Sequence, residues 1–337
     1  MESRCTQLGP MIIDKLLEKI DEKRNPCVVG LDPIVEKLPP HLLTESSFTA
    51  IAEAFKVFNF AIIDAIHDLV PAIKPQMACY EKYGAAGVQA FEETVAYAKE
   101  KGLIVIGDAK RGDIGHTAKA YAEAHLGKVF TPSGRKFSTN ADWLTVNPYL
   151  GKDGLDPFVK VCEEHDRGIF ILVKTSNPSS GQWQDRLIDV KDDEVADFTE
   201  RNIQLKDRRT ELYNLVGLQV HRYAKEFRGK RGYSAIGAVV GATYPEQAAT
   251  LRKLMPYSLF LVPGYGAQGG KSKDIVNCFN NDGYGAVINS SRGIIYAWET
   301  LNMPRDFARA SRNAVRIMIT DIQDALKDAG KWPHNWN

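Results

Sequence analysis

Long apolar runs are missing from this 337-residue chain, and none approaches the ~20 residues that span a bilayer. The N-terminal stretch mixes acids and bases through Arg24 and lacks the apolar core of a secretory leader. No membrane association is expected, and the setting expected is cytoplasmic. Cysteine is scarce: Cys5, Cys27, Cys79, Cys162 and Cys278 are an odd number, scattered, with no C-x-x-C pair. That spacing excludes a disulfide framework and fits packed thiols in a reducing compartment. A charge excess is also absent. Lys and Arg number 43 against 42 Asp and Glu, a net charge of +1. Such a balance gives no footprint for nucleic acid or an acidic membrane surface. His116 has no second His or Cys at ligand spacing, so no metal site is expected.

What the chain does have is 44% hydrophobic and 25% charged residues, enough for a large core. Eight short apolar runs recur: Cys27–Leu31, Val70–Ile73, Leu103–Gly107, Trp143–Val146, Ile169–Val173, Ala235–Val240, Leu259–Val262 and Ala286–Ile288. Between the first two, Phe48, Ile51, Phe55, Phe58, Ile62, Ile66 and Leu69 keep the spacing of one helix face. Val88–Lys99, Thr117–His125 and Tyr244–Leu254 also read as helix. Strands alternating with helices imply a parallel sheet with right-handed crossovers. Eight such units predict one α/β domain over 1–337, a (β/α)8 TIM barrel. Residues 1–25 form an N-terminal extension, expected to be helical. The longest break in the rhythm, 177–233, follows strand five. It opens Asn-Pro-Ser-Ser-Gly, is strongly charged from Asp185 to Arg209, and turns helical near Glu211–Phe227. We read it as an insertion that lids the barrel mouth.

Asp32, Lys74, Asp108, Lys110, Asn147, Ser176, Thr243 and Gln268 all fall at or just after the C-terminal ends of predicted strands. In a barrel those ends share the face where active sites sit. The densest group is Asp108-Ala109-Lys110-Arg111-Gly112-Asp113. Side chains two apart on a strand share a face, so Asp108 and Lys110 should point together. A lysine between carboxylates is held in its charged form, which makes it a poor nucleophile and a well-placed proton donor. Pro263-Gly264-Tyr265-Gly266-Ala267-Gln268-Gly269-Gly270 follows strand seven, and Asn289-Ser290-Ser291-Arg292-Gly293 ends strand eight. Loops in those places often hold a phosphate, with glycine amides wrapping the anion and Arg292 adding bidentate charge. The G-x-G-x-x-G within the first loop is not a dinucleotide fingerprint, because no acid ends the next strand. Arg111-Gly112-Asp113 as an adhesion tripeptide and Asn289-Ser290-Ser291 as a sequon both require secretion, which nothing here signals.

Together these residues resemble the orotidine 5′-phosphate decarboxylases. The block Asp108-x-Lys110-x-x-Asp113-Ile114 looks like that family's hallmark, and Pro263-Gly264-x-Gly266-x-Gln268-Gly269 with Arg292 looks like its phosphate grip. Ala72-Ile73-Lys74-Pro75-Gln76, Asn147-Pro148-Tyr149 and Thr175-Ser176-Asn177-Pro178 are similar to its longer bacterial subgroup. The likeness runs from about Cys27 to Ala297. It implies decarboxylation of orotidine 5′-monophosphate to UMP without a cofactor. Lys110 would protonate C6, Asp108 would sit by the substrate carboxylate, and Lys74 would join the charge network. Asp32 and Lys74 would bind ribose, Ser176 the pyrimidine, and Gln268, Arg292, Gly266 and Ser291 the phosphate. Asp113 would reach a partner subunit's site beside Thr117, making the active unit a homodimer. Asn147 stands where shorter members carry a histidine, which leaves its ribose contact open. Two alternatives remain. Mg²⁺-dependent sugar-phosphate decarboxylases or synthases of the same superfamily resemble the chain at Asp-x-Lys-x-x-Asp, but carry a glutamate on strand two where Lys74 stands. The other is a non-catalytic nucleotide-binding barrel.

Overall fold

Each apolar run becomes a strand. They are β1 Cys27–Leu31, β2 Ala72–Pro75, β3 Ile104–Arg111, β4 Trp143–Val146, β5 Gly168–Lys174, β6 Ser234–Val240, β7 Ser258–Val262 and β8 Ala286–Ser290. The structure, a computed structural model, describes residues 11–266 and 269–337. Every strand pairs in parallel with its neighbours in sequence, and β1 closes on β8 through Cys27↔Ile288. The ring leaves no barrel edge. Both faces of such strands are covered, one by the barrel interior and one by helices, so they read as continuous apolar runs. This is the (β/α)8 barrel expected. Among the described residues no helix is long and apolar enough to cross a membrane.

The helix on the 3-4 spacing runs Phe48–Ile66, capped by the Ser47 hydroxyl accepting from the Ala50 amide at 3.1 Å. Leu69 lies beyond its end, in the turn into β2. The helix Ile12–Lys23 closes the end of the barrel opposite the strand C-termini. It buries Ile13, Leu16 and Leu17, and Asp14 accepts from the Lys230 and Arg231 amides just before β6. Asp21 reaches further, accepting from Tyr284 Oη at 2.5 Å and Trp336 Nε1 at 3.0 Å. Within 177–233, Leu187–Asp189 and Arg209–Glu211 pair as an antiparallel hairpin around the helix Asp192–Glu200. Leu212–Glu226 then packs on β5 and β6 as their crossover helix.

One staple below the barrel carries a prediction. Arg252 is buried and donates to the carbonyls of Cys278, Met255, Ser258 and Gly285 at 2.8–2.9 Å, with its guanidinium over the Phe260 ring. Burial lowers its pKa to about 10, and among the described residues no carboxylate bonds it. Arg252→Met takes a donor from four carbonyls; Met255 and Gly285 keep the Ser258 and Phe260 amides, while Cys278 and Ser258 lose their guanidinium partner at ~1–3 kcal/mol each before relaxation. We expect a loss of at least ~2 kcal/mol in urea denaturation, with turnover at 25 °C unchanged.

Candidate active site

The strand ends converge on one cavity of about 980 Å³. Its floor is a hydrogen-bonded chain of charge. Asp108 on β3 is the hub, and each of its oxygens receives two donors. Oδ1 accepts from Lys110 Nζ at 2.5 Å and Thr145 Oγ1 at 2.9 Å. Oδ2 accepts from Lys74 Nζ at 2.6 Å and Gln76 Nε2 at 2.9 Å. Asp32 extends the chain, its Oδ1 3.9 Å from Lys74 Nζ. Burial disfavours the charged Asp108, but the Lys74 and Lys110 ammonium groups outweigh it and hold the carboxyl far below the usual range. Burial likewise works against the Lys74 charge, and Asp108 and then Asp32 overcome it, so its pKa is raised.

Strand alternation is not what aims Lys110. The β3–β4 register shifts between Gly107 and Arg111, and Lys110 takes a left-handed φ of 47°. That conformation costs ~1–2 kcal/mol for a residue with a Cβ. It is held by the Lys110 amide donating to Thr145 Oγ1 at 3.0 Å and by the bond to Asp108. The ammonium thereby folds back over the carboxylate while staying half-exposed to the cavity, its side chain 46% accessible.

Asn147, Ser176, Ser291 and Arg292 line the same cavity as Asp32, Lys74, Asp108 and Lys110. Gly241 secures Ser176: a Cβ there would lie 2.9 Å from the Ser176 Cα, so only glycine lets β6 approach that turn. Arg292 opens a short turn of helix after β8, three strands round the ring from β3, with no ion-pair partner among the described residues. Gly264, Gly266 and Gly269 all have positive φ. The Gly266, Gly269 and Gly270 amides donate to the carbonyls of Gly270, Gly266 and Gly264, so these three are engaged within the turn itself. Gly266 does not line the cavity, whereas Gly264 and Tyr265 do. Gln268 lies outside the described residues.

Asp113 and Thr117 stand apart. The Asp113 carboxylate accepts from the Ile114 amide at 2.8 Å and is not part of the cavity wall. Thr117 lines a second concavity between the helices Gly115–His125 and Lys152–His165. Two members of the network carried no signal of their own in the sequence. Gln76 follows Lys74 by two residues, just past the end of β2, and Thr145 on β4 precedes Asn147 by two; both are neutral and reach Asp108 from the two sides of β3.

Comparison with known proteins identifies relatives along nearly the whole chain. The orotidine 5′-phosphate decarboxylase / HUMPS family matches residues 54–302. Orotidine 5′-phosphate decarboxylase of Rhodopirellula baltica is 45% identical over 304 residues, covering 89% of this chain and 93% of that one. The Petrotoga mobilis protein of the same name is 40% identical, covering 93% and 98%. Among solved structures, Leishmania donovani OMP decarboxylase superposes with a TM-score of 0.66 at 28% identity, covering 94% and 98%. The chain belongs to the orotidine 5′-phosphate decarboxylase / HUMPS family.

Proposed function

We propose that this protein decarboxylates orotidine 5′-monophosphate to UMP, the last step of de novo pyrimidine biosynthesis. The observation that carries the reading is the Lys74–Asp108–Lys110 chain on the floor of a cavity that also presents Arg292. Breaking the C6–carboxylate bond releases CO2 and leaves the electron pair on C6, in an orbital the ring carbonyls delocalise poorly. Lys110 Nζ faces that charge, stabilises it as it develops, and transfers a proton to C6; water then reprotonates the amine. Asp108, fixed by four donors, keeps Lys110 aimed and lies beside the departing carboxylate. Asp32 and Lys74 bind the ribose hydroxyls, with Asn147 near them. Ser176 bonds the pyrimidine, and Arg292, Ser291 and Gln268 hold the phosphate. That grip lies away from the reacting carbon, so its binding energy serves to close and dry the site.

Asp113 and Thr117 lie outside the lining of their own cavity, which fits a homodimer in which they complete the partner's site. The enzyme acts in the cytoplasm on a small-molecule substrate. The sugar-phosphate reading is disfavoured by Lys74, whose ammonium sits 2.6 Å from Asp108 where a divalent cation would need a carboxylate. Purified protein given orotidine 5′-monophosphate in excess EDTA should show the absorbance change of conversion to UMP. An unchanged spectrum refutes the reading.

A further inference from the structure

Lys174, the last residue of β5, has a fully buried side chain, yet it does not line the cavity. Its ammonium bonds Asp185 Oδ1 at 2.5 Å and Ser180 Oγ at 3.4 Å, and sits 4.3 Å from the centroid of the Tyr244 ring. A lysine is rarely buried unless paired, and an apolar side chain of similar volume would often stabilise as well or better. Stability alone therefore explains the pair poorly. Asp185 belongs to the segment after β5 and keeps 42% of its side chain exposed. Between the two partners the chain makes a tight excursion whose residues Trp183 and Gln184 line the cavity. Gln184 then bonds back: its Oε1 accepts from the Thr175 amide at 3.0 Å, and its Nε2 donates to Thr175 Oγ1 at 2.8 Å. The Lys174–Asp185 pair and the Gln184–Thr175 pair thus clamp both ends of one loop. Ser176 is the next residue after the clamped Thr175.

We propose that Lys174 is a positioning residue. Through Asp185 it fixes the 178–185 segment across the mouth and sets the Thr175–Ser176 turn that holds the pyrimidine. The second half of this statement rests on the decarboxylase reading above; the anchoring does not. Ser176, Trp183 and Gln184 face bound nucleotide before and during reaction alike, so loosening them should weaken binding rather than chemistry.

Lys174→Met keeps the volume and removes the charge, while Asp185→Asn changes only a half-exposed group at the far end of the pair. Each is expected to raise KM for orotidine 5′-monophosphate at least tenfold with kcat within threefold of the parent. The double variant should be no worse than either single, because one interaction is removed twice. A loss of stability alone would lower the Tm and leave KM of the folded enzyme unmoved. Limited trypsin digestion reads the anchoring independently of turnover, and the Arg186–Leu187 bond should be cut at least fivefold faster in both variants. KM within twofold of the parent in both single variants, with the parent active, overturns the role in binding. An unchanged cleavage rate overturns the anchoring. If the parent protein itself fails to turn over the nucleotide, the proposed function falls, and the cleavage rates still decide whether Lys174 holds the segment.

Discussion

Lys110→Ala is expected to lower kcat about 10⁴-fold or more. General-acid proton transfer contributes about 10²–10⁴, and a preorganised charge at the reacting centre a further 10²–10³ or so. Both are lost with one ammonium, because the proton donor and the electrostatic stabiliser are the same group. Folding should survive. The Lys110 side chain is 46% accessible, and solvent screening leaves little of its ion pair as stability. Asp108 keeps Lys74, Thr145 and Gln76 as donors. Nucleotide binding should survive as well, since the groups assigned to ribose and phosphate are untouched. Single-turnover assays and a calorimetric titration with UMP separate the two. A kcat within tenfold of the parent would mean that another group delivers the proton.

Asp108→Asn should have the largest effect on stability, and one that depends on pH in a defined direction. In the parent, the lowered carboxyl pKa gives stabilisation that is fully present above ~4 and fades only as pH falls through the lower folded value. The raised Lys74 pKa gives stabilisation that is fully present below ~10.4 and is lost as pH rises through the folded value. Between those limits the pair adds a constant amount. Removing the carboxylate leaves Lys74 buried, with Asp32 as its remaining negative neighbour at 3.9 Å. Burial then dominates, and the ammonium is disfavoured relative to the unfolded chain. An uncompensated buried charge costs ~3–5 kcal/mol. The unfolded state now binds the extra proton, so stability of the variant rises with pH. The deficit against the parent should be greatest near pH 6 and shrink toward pH 9–10. Guanidinium denaturation at both ends of that range checks it. An equal deficit at both would place its origin elsewhere than in Lys74.

The fold was readable in the sequence because strands covered on both faces have no polar alternation to confuse them. Trp143–Val146 and Ser234–Val240 are buried at every residue. The candidate site was readable where charge breaks such a run, at Lys74, Asp108 and Lys110. Less visible was anything that depends on neighbouring strands. Gln76 and Thr145 bond Asp108 only because β2 and β4 flank β3, and a neutral side chain at a strand end looks like many others. The left-handed turn at Lys110 was hidden for the same reason, since it is held by Thr145 rather than by a local glycine. The amides of the glycine turn after β7 were expected to face an anion, and instead three of them close the turn on itself. Lys174 stands one residue past the apolar run Ile169–Val173 and carries no signal there, because its partner lies in a charged segment with no pattern of its own.

The seam between β1 and β8 has a temporal consequence. During synthesis the first strand, Cys27-Val28-Val29-Gly30-Leu31, emerges with β2 to pair on one side and nothing on the other. Its remaining partner arrives only when Ala286–Ser290 leaves the ribosome, tens of seconds later at ~5–20 residues per second. For that interval the nascent chain is an open, growing sheet whose oldest edge is wholly apolar. Pairing so distant in sequence is also intrinsically slow. Thus the β1 edge is the one left open longest to pairing with another chain before the ring closes.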